Sequence, residues 1–151
     1  MNPDRPDWDS VWMHMAQTIA LRAYDEKLKV GSVIVSGDNT RVLAIGYNGN
    51  YKGGPNARDS MEPGQSGMLH SELNALLKLN YHDPVQKKLY VTSSPCRDCA
   101  KCIIQSAINE VIFLNVFARD PSGIALLDSN GIKVRQLVST YLSDPEQKKA
   151  P

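Results

Sequence analysis

His70-Ser71-Glu72 and Pro95-Cys96-Arg97-Asp98-Cys99 are the stretches whose residue types and spacing can do chemistry. Two thiolates and an imidazole give zinc three protein ligands, and a fourth place left to water marks a catalytic rather than a closed structural site. Zinc lowers the pKa of bound water to about 7, and a carboxylate such as Glu72 can carry the released proton without binding the metal. The spacing needs a special geometry. On a helix turning about 100° per residue, side chains two apart diverge by about 200°. His70 and Glu72 therefore cannot meet on a helix face, but they can converge beyond its N-terminal end, toward which side chains lean. That end also carries about half a unit of positive charge.

Cys96 and Cys99 share their spacing with Cys99 and Cys102. Pro95 fixes the turn before Cys96, so the first pair falls in the first helical turn, where unpaired N–H groups favour thiolate. Cys102 lies a turn deeper and reads as a small buried residue. The competing reading makes Cys102 a fourth ligand of a non-enzymatic zinc module. Three crowded cysteines cannot form a spread disulfide framework, so a reducing, cytoplasmic setting fits.

At 151 residues the chain is long enough for one domain with a sizeable core. Its formal net charge of +1 gives no field to hold a nucleic-acid polymer, though it does not exclude a single nucleotide. No apolar run reaches membrane-spanning length, and the opening Met1-Asn2-Pro3-Asp4-Arg5 does not read as a signal peptide.

The elements that must position these groups follow in order. Trp8 to Tyr24 reads as a helix capped by Asp9 or Ser10, with Val11, Met15, Ile19 and Trp12 facing inward. Val30–Val35 and Val42–Tyr47 form a hairpin around Gly37-Asp38-Asn39, and their apolar runs imply cover on both faces. A long connection rich in Gly, Pro, Asn and Ser, Asn48 to Met68, has the character of a binding loop. Helices are expected at Leu69–Leu79, Cys96–Ala107 and Ile124–Ser129, and strands at Lys88–Thr92, Glu110–Leu114 and Ile132–Val138. This pattern predicts an α/β fold of three layers, a five-stranded mixed sheet with helices on both faces. The domain is expected over residues 1–142, with a frayed tail at 143–151.

The pairing of H-x-E with P-C-x-x-C matches the signature of zinc nucleobase deaminases. Leu21-Arg22-Ala23-Tyr24-Asp25, Val30–Val35, Gly46-Tyr47-Asn48-Gly49, His70-Ser71-Glu72-Leu73-Asn74-Ala75 and Pro95–Lys101 together resemble the deoxycytidylate (dCMP) deaminases, cellular and viral. The likeness runs in register from about Trp12 to Phe113.

The resemblance implies Zn²⁺-dependent conversion of dCMP to dUMP for thymidylate synthesis by a cytoplasmic homo-hexamer. Such enzymes are activated by dCTP with Mg²⁺ and inhibited by dTTP. By motif match, His70, Cys96 and Cys99 would hold the zinc and Glu72 would shuttle protons. The backbone at Ser71 and Ser94 would meet the cytosine edge, and Asn48 would lie near the sugar. Gly46, Tyr47, Asn48 and Gly49 would take part in effector binding. Arg22 is the motif-matched phosphate cation, with Lys27, Lys29, Lys52 and Arg58 as unranked alternatives. Arg119 could serve an effector pocket or a subunit contact.

Three departures stand out. Ser71 occupies a position that is commonly Ala in the family. Asn50-Tyr51-Lys52-Gly53-Gly54-Pro55 replaces the usual continuation after Gly49, which weakens the effector expectation. Some relatives bind a second zinc in this loop through Cys and His; Asn48 to Leu69 contains neither, so one zinc per chain is expected. Other cytosine nucleotides or nucleosides, such as dCTP or cytidine, stay open as substrates.

Overall fold

Side-chain alternation along the central strands sets the layers of the computed structural model, which describes residues 4–138. The strands are β1 (Gly31–Ser36), β2 (Val42–Tyr47), β3 (Lys87–Ser93), β4 (Glu110–Asn115) and β5 (Lys133–Gln136). They form one mixed sheet in the order β2-β1-β3-β4-β5. β1 is antiparallel to both neighbours, whereas β3, β4 and β5 run parallel. Val33, Val35, Tyr90 and Ile112 face helix α1 (Trp8–Ala20), which covers them with Trp12, Met13 and Ala16. Ile34, Leu89, Val91, Val111 and Phe113 face the opposite layer. There they meet Ala75, Leu76, Ala100, Ile103 and Leu127 from α2 (Ser71–Leu76), α3 (Arg97–Gln105) and α4 (Ser122–Ser129). The three-layer α/β architecture is the one expected. The proposed domain boundary at 142 and the tail at 143–151 lie outside the described residues.

Several expectations are corrected. Asp7, not Asp9 or Ser10, caps α1, its carboxylate accepting the Ser10 N–H at 2.7 Å. The helix stops at Ala20 rather than Tyr24, because residues 21 to 23 turn through bonds three residues back. Its buried face carries Trp12, as expected, with Met13, Ala16 and Ala20, while Val11, Met15 and Ile19 pack only partly. Gly31 explains the rotation. A Cβ there would fall 1.9 Å from the Ala16 carbonyl, so the helix rests on the sheet through its small residues. Counting large apolar side chains misses such a face.

Cover on both faces holds for β1, all of whose residues are buried. It fails for the edge strand β2, where Val42 and Ile45 are exposed. α2 ends at Leu76 rather than Leu79: Lys78 and Leu79 donate three residues back, tightening the last turn while keeping Leu79 buried. α3 ends at Gln105, before Ala107 adopts φ +60°. α4 starts at Ser122, and β5 is shorter than expected. Between β2 and α2 the chain forms no regular element, and the long loop closes where Gly49 and Leu69 exchange backbone hydrogen bonds.

Candidate active site

His70 is the N-cap of α2, with extended backbone (φ −70°, ψ 155°) and no capping bond from its side chain. The imidazole is used elsewhere: Nδ1 lies 3.2 Å from Cys99 Sγ and 3.5 Å from Cys96 Sγ. Cys96 in turn is the N-cap of α3, outside the helix proper, and its sulfur accepts the Cys99 N–H at 3.4 Å. Two helix starts thus meet, and the three ligand atoms lie within 4.8 Å of one another. Cys102 does not join this group and packs against the core instead. Gly46 lets α2 come this close. A Cβ there would lie 2.3 Å from the Ser71 carbonyl, so β2 touches the helix backbone directly.

The electrostatics follow from crowding two sulfurs. The hydrogen bond from Cys99 draws the Cys96 thiol down to about 4, helped by His70. The same shared bond, with burial, pushes Cys99 up. The Cys96 contact raises His70 against the cost of burial. Glu72, in the first turn of α2 and only 4% exposed, is pushed above the usual carboxyl range by burial. Behind it Ser71 Oγ donates to Glu72 Oε2 at 3.4 Å and stands 2.7 Å from Ser32 Oγ. Ser32 is a supporting residue the sequence reading missed; its signal was a hydroxyl in the midst of the apolar run Val30–Val35.

These groups open on a cavity of about 310 Å³. Asn48, His70, Ser71, Glu72, Ser94 and Cys96 are among the residues that line it. Asn48 is tied to the backbone behind it: Oδ1 accepts the Val30 N–H at 2.7 Å and Nδ2 donates one N–H to the Leu28 carbonyl at 2.9 Å. These bonds fix the wall there and leave a second amide N–H uncommitted by them. Ser94 gives its N–H to Asn115 and accepts the Phe117 N–H on Oγ. Gly46, Tyr47 and Gly49 serve the fold: Gly46 seats α2, the Tyr47 carbonyl accepts from Asn74, and Gly49 closes the loop.

The cations are redistributed. Arg22, Lys29 and Lys52 are exposed and do not line this cavity, whereas Lys27, Arg58 and Arg119 do. Arg58 lies 2.6 Å from both oxygens of the buried Asp25, a pairing the sequence reading did not find. Nothing marked it in advance, since partners 33 residues apart on two irregular segments leave no periodic trace. Leu28, Met68 and Phe117 add apolar wall.

Residues 6–115 match the family described as the cytidine and deoxycytidylate deaminase zinc-binding region. The chain is 33% identical over 153 residues to deoxycytidylate deaminase of Schizosaccharomyces pombe, covering 91% of this chain and 47% of that one. It is 35% identical over 124 residues to deoxycytidylate deaminase of Mycobacterium phage D29, covering 72% and 95%. The chain therefore spans about half the length of its fungal relatives and nearly all of the phage protein. The crystal structure of dCMP deaminase from cyanophage S-TIM5, in complex with dCMP and dUMP, superposes with a TM-score of 0.75 at 30% identity. That match covers 91% of this chain and 99% of the other.

Proposed function

Because the chain belongs to the cytidine and deoxycytidylate deaminase family, we propose that it hydrolyses dCMP to dUMP and ammonia. The observation that carries the reading is a buried carboxylate, Glu72, beside the His70–Cys96–Cys99 cluster at a cavity rimmed by cations.

The donor set fits zinc. One imidazole nitrogen and two sulfurs converge, and the sulfurs sharing a proton are what a cation would free as thiolates. His70, Cys96 and Cys99 would hold one Zn²⁺, which supplies a Lewis acid that lowers the pKa of bound water. Glu72 takes a proton from water and delivers it to N3 of cytosine as C4 is attacked. It then passes a second proton to the departing ammonia. Burial suits this task, because a carboxyl lifted above its usual range both accepts and returns a proton readily. Ser71, anchored on Ser32, holds the carboxylate in position. The Ser94 carbonyl remains as a backbone group for the base edge, since its N–H is committed. Phe117 offers an aromatic wall, and Asn48 fixes the Leu28–Val30 segment beside the sugar.

The proposal extends to dUMP supply for dTMP synthesis in the cytoplasm, a homo-hexamer, activation by dCTP with Mg²⁺ and inhibition by dTTP. The sequence resemblance supports these, including Gly46, Tyr47, Asn48 and Gly49 as effector contacts. Among the described residues, no helix is long and apolar enough to cross a membrane. The test is steady-state turnover of cytidine, deoxycytidine and dCMP by the purified protein, with and without dCTP–Mg²⁺ and dTTP. The fastest reaction is expected with dCMP, in a sigmoidal titration made hyperbolic by dCTP. Faster deamination of deoxycytidine than of dCMP rules out the monophosphate reading.

A further inference from the structure

Three cations line the cavity, and they do not count equally. Arg58 is nine-tenths buried through its side chain and gives Nη1 to both Asp25 oxygens and Nε to the Ser60 carbonyl. Asp25 also accepts the Lys27 N–H at 2.8 Å, so this carboxylate is held from two sides. Lys27 and Arg119 differ. Both are exposed at the rim. Among the described residues, the Lys27 ammonium donates only to the neutral Met61 carbonyl. The Arg119 guanidinium lies against Gly64 of the long loop and makes no hydrogen bond or ion pair with any described residue.

Resting on the dCMP reading, we propose that Asp25 is a specificity-determining residue. By neutralising Arg58 it limits the uncompensated cations of the rim, among the described residues, to two, Lys27 and Arg119, which match a nucleoside monophosphate and disfavour a triphosphate. A phosphomonoester carries about −1.5 to −2 at pH 7, which two cations balance. A triphosphate brings further negative charge that finds a neutralised pair instead of a third cation, so its extra phosphates go unbalanced and the longer ligand is disfavoured relative to the shorter. Asp25 and Arg58 thus do two things at once: they brace the loop and withdraw a positive charge from the ligand.

The experiment measures kcat/KM for deoxycytidine, dCMP and dCTP, with zinc content, in the unmodified protein and variants. Arg119→Gln is expected to raise KM for dCMP about tenfold or more, as loss of a charge-assisted hydrogen bond does, and to leave deoxycytidine unaffected. Asp25→Asn frees Arg58 and is expected to raise the dCTP-to-dCMP ratio of kcat/KM about tenfold by the same gain. Adding Arg58→Gln to it should return the ratio to its starting value, which a purely bracing role would not do. Pro63→Arg adds a cation to the same lining without touching the pair, and it should shift the ratio in the same direction even if Asp25→Asn fails to fold. An unchanged ratio in Pro63→Arg, or in a folded, zinc-replete Asp25→Asn, overturns the charge filter alone. Deoxycytidine outrunning dCMP in the unmodified protein overturns the underlying substrate reading instead.

Discussion

The inner end of the cavity and its rim handle charge in opposite ways. At the inner end, the polar groups answer to one another: Cys96 and His70 each favour the charged form of the other. His70 forgoes capping α2, Cys99 donates to Cys96, and Glu72 is buried beside a serine hydroxyl and the cluster. At the rim, Arg58 and Asp25 satisfy each other at 2.6 Å. Burying a paired charge is tolerable, whereas burying an unpaired one is costly unless something binds there. The contrast separates what the fold keeps for itself from what it leaves for a metal or a substrate.

Glu72→Gln breaks the comparison most severely. It keeps the shape of the inner end and removes the proton carrier, so turnover should fall about 100-fold to 10,000-fold, while metal analysis finds zinc retained. Loss of zinc in that variant would make Glu72 a structural group. Asn48→Ala probes the wall between the two ends. It strands the Val30 N–H and the Leu28 carbonyl, for an expected loss of about 1–3 kcal/mol in denaturant unfolding and a raised KM. A change in kcat with KM untouched would place Asn48 at the reacting atoms instead.

The smallest effect concerns acid. Burial alone would raise Asp25, but the Lys27 amide and the Arg58 guanidinium outweigh it and hold the carboxyl below its ordinary value. The unfolded chain then takes up a proton before the folded one does, so stability rises with pH across that interval. The contribution is complete above the ordinary carboxyl range of about 4 and disappears as pH falls through the depressed folded value. Thermal unfolding followed from neutral pH to below that range should show a shallower acid limb in Asp25→Asn; an identical limb would mean the pair adds nothing.

The same division decided what could be read from the sequence. The meeting of His70, Cys96 and Cys99, with Glu72 beside them, was legible because each motif sits within one turn of a helix start, where spacing dictates geometry. The five strands were legible from their apolar runs, and the cover of β1 with them. The inner face of α1 was not, because Ala16 and Ala20 contact the sheet through Gly31, and small residues carry little weight in a hydrophobic pattern. The end of α2 was missed because Leu79 stays buried after the helix has tightened out of α geometry. Among the cations named from the sequence, Lys27, Arg58 and Arg119 line the cavity and the motif-matched Arg22 does not, because loop paths that leave no periodic trace decide which cations reach it.

The rung between Gly49 and Leu69 means that the excursion from 50 to 68 departs and returns at one point, a single residue before His70. The metal-facing end is fixed by Gly46 and by the two helix starts, none of which belongs to that excursion. Doubling the length of such a segment costs only about 0.6 kcal/mol in closure entropy. The scaffold therefore works like a socket: the segment can be exchanged for another of different length and charge without moving the backbone that carries His70, Cys96 and Cys99.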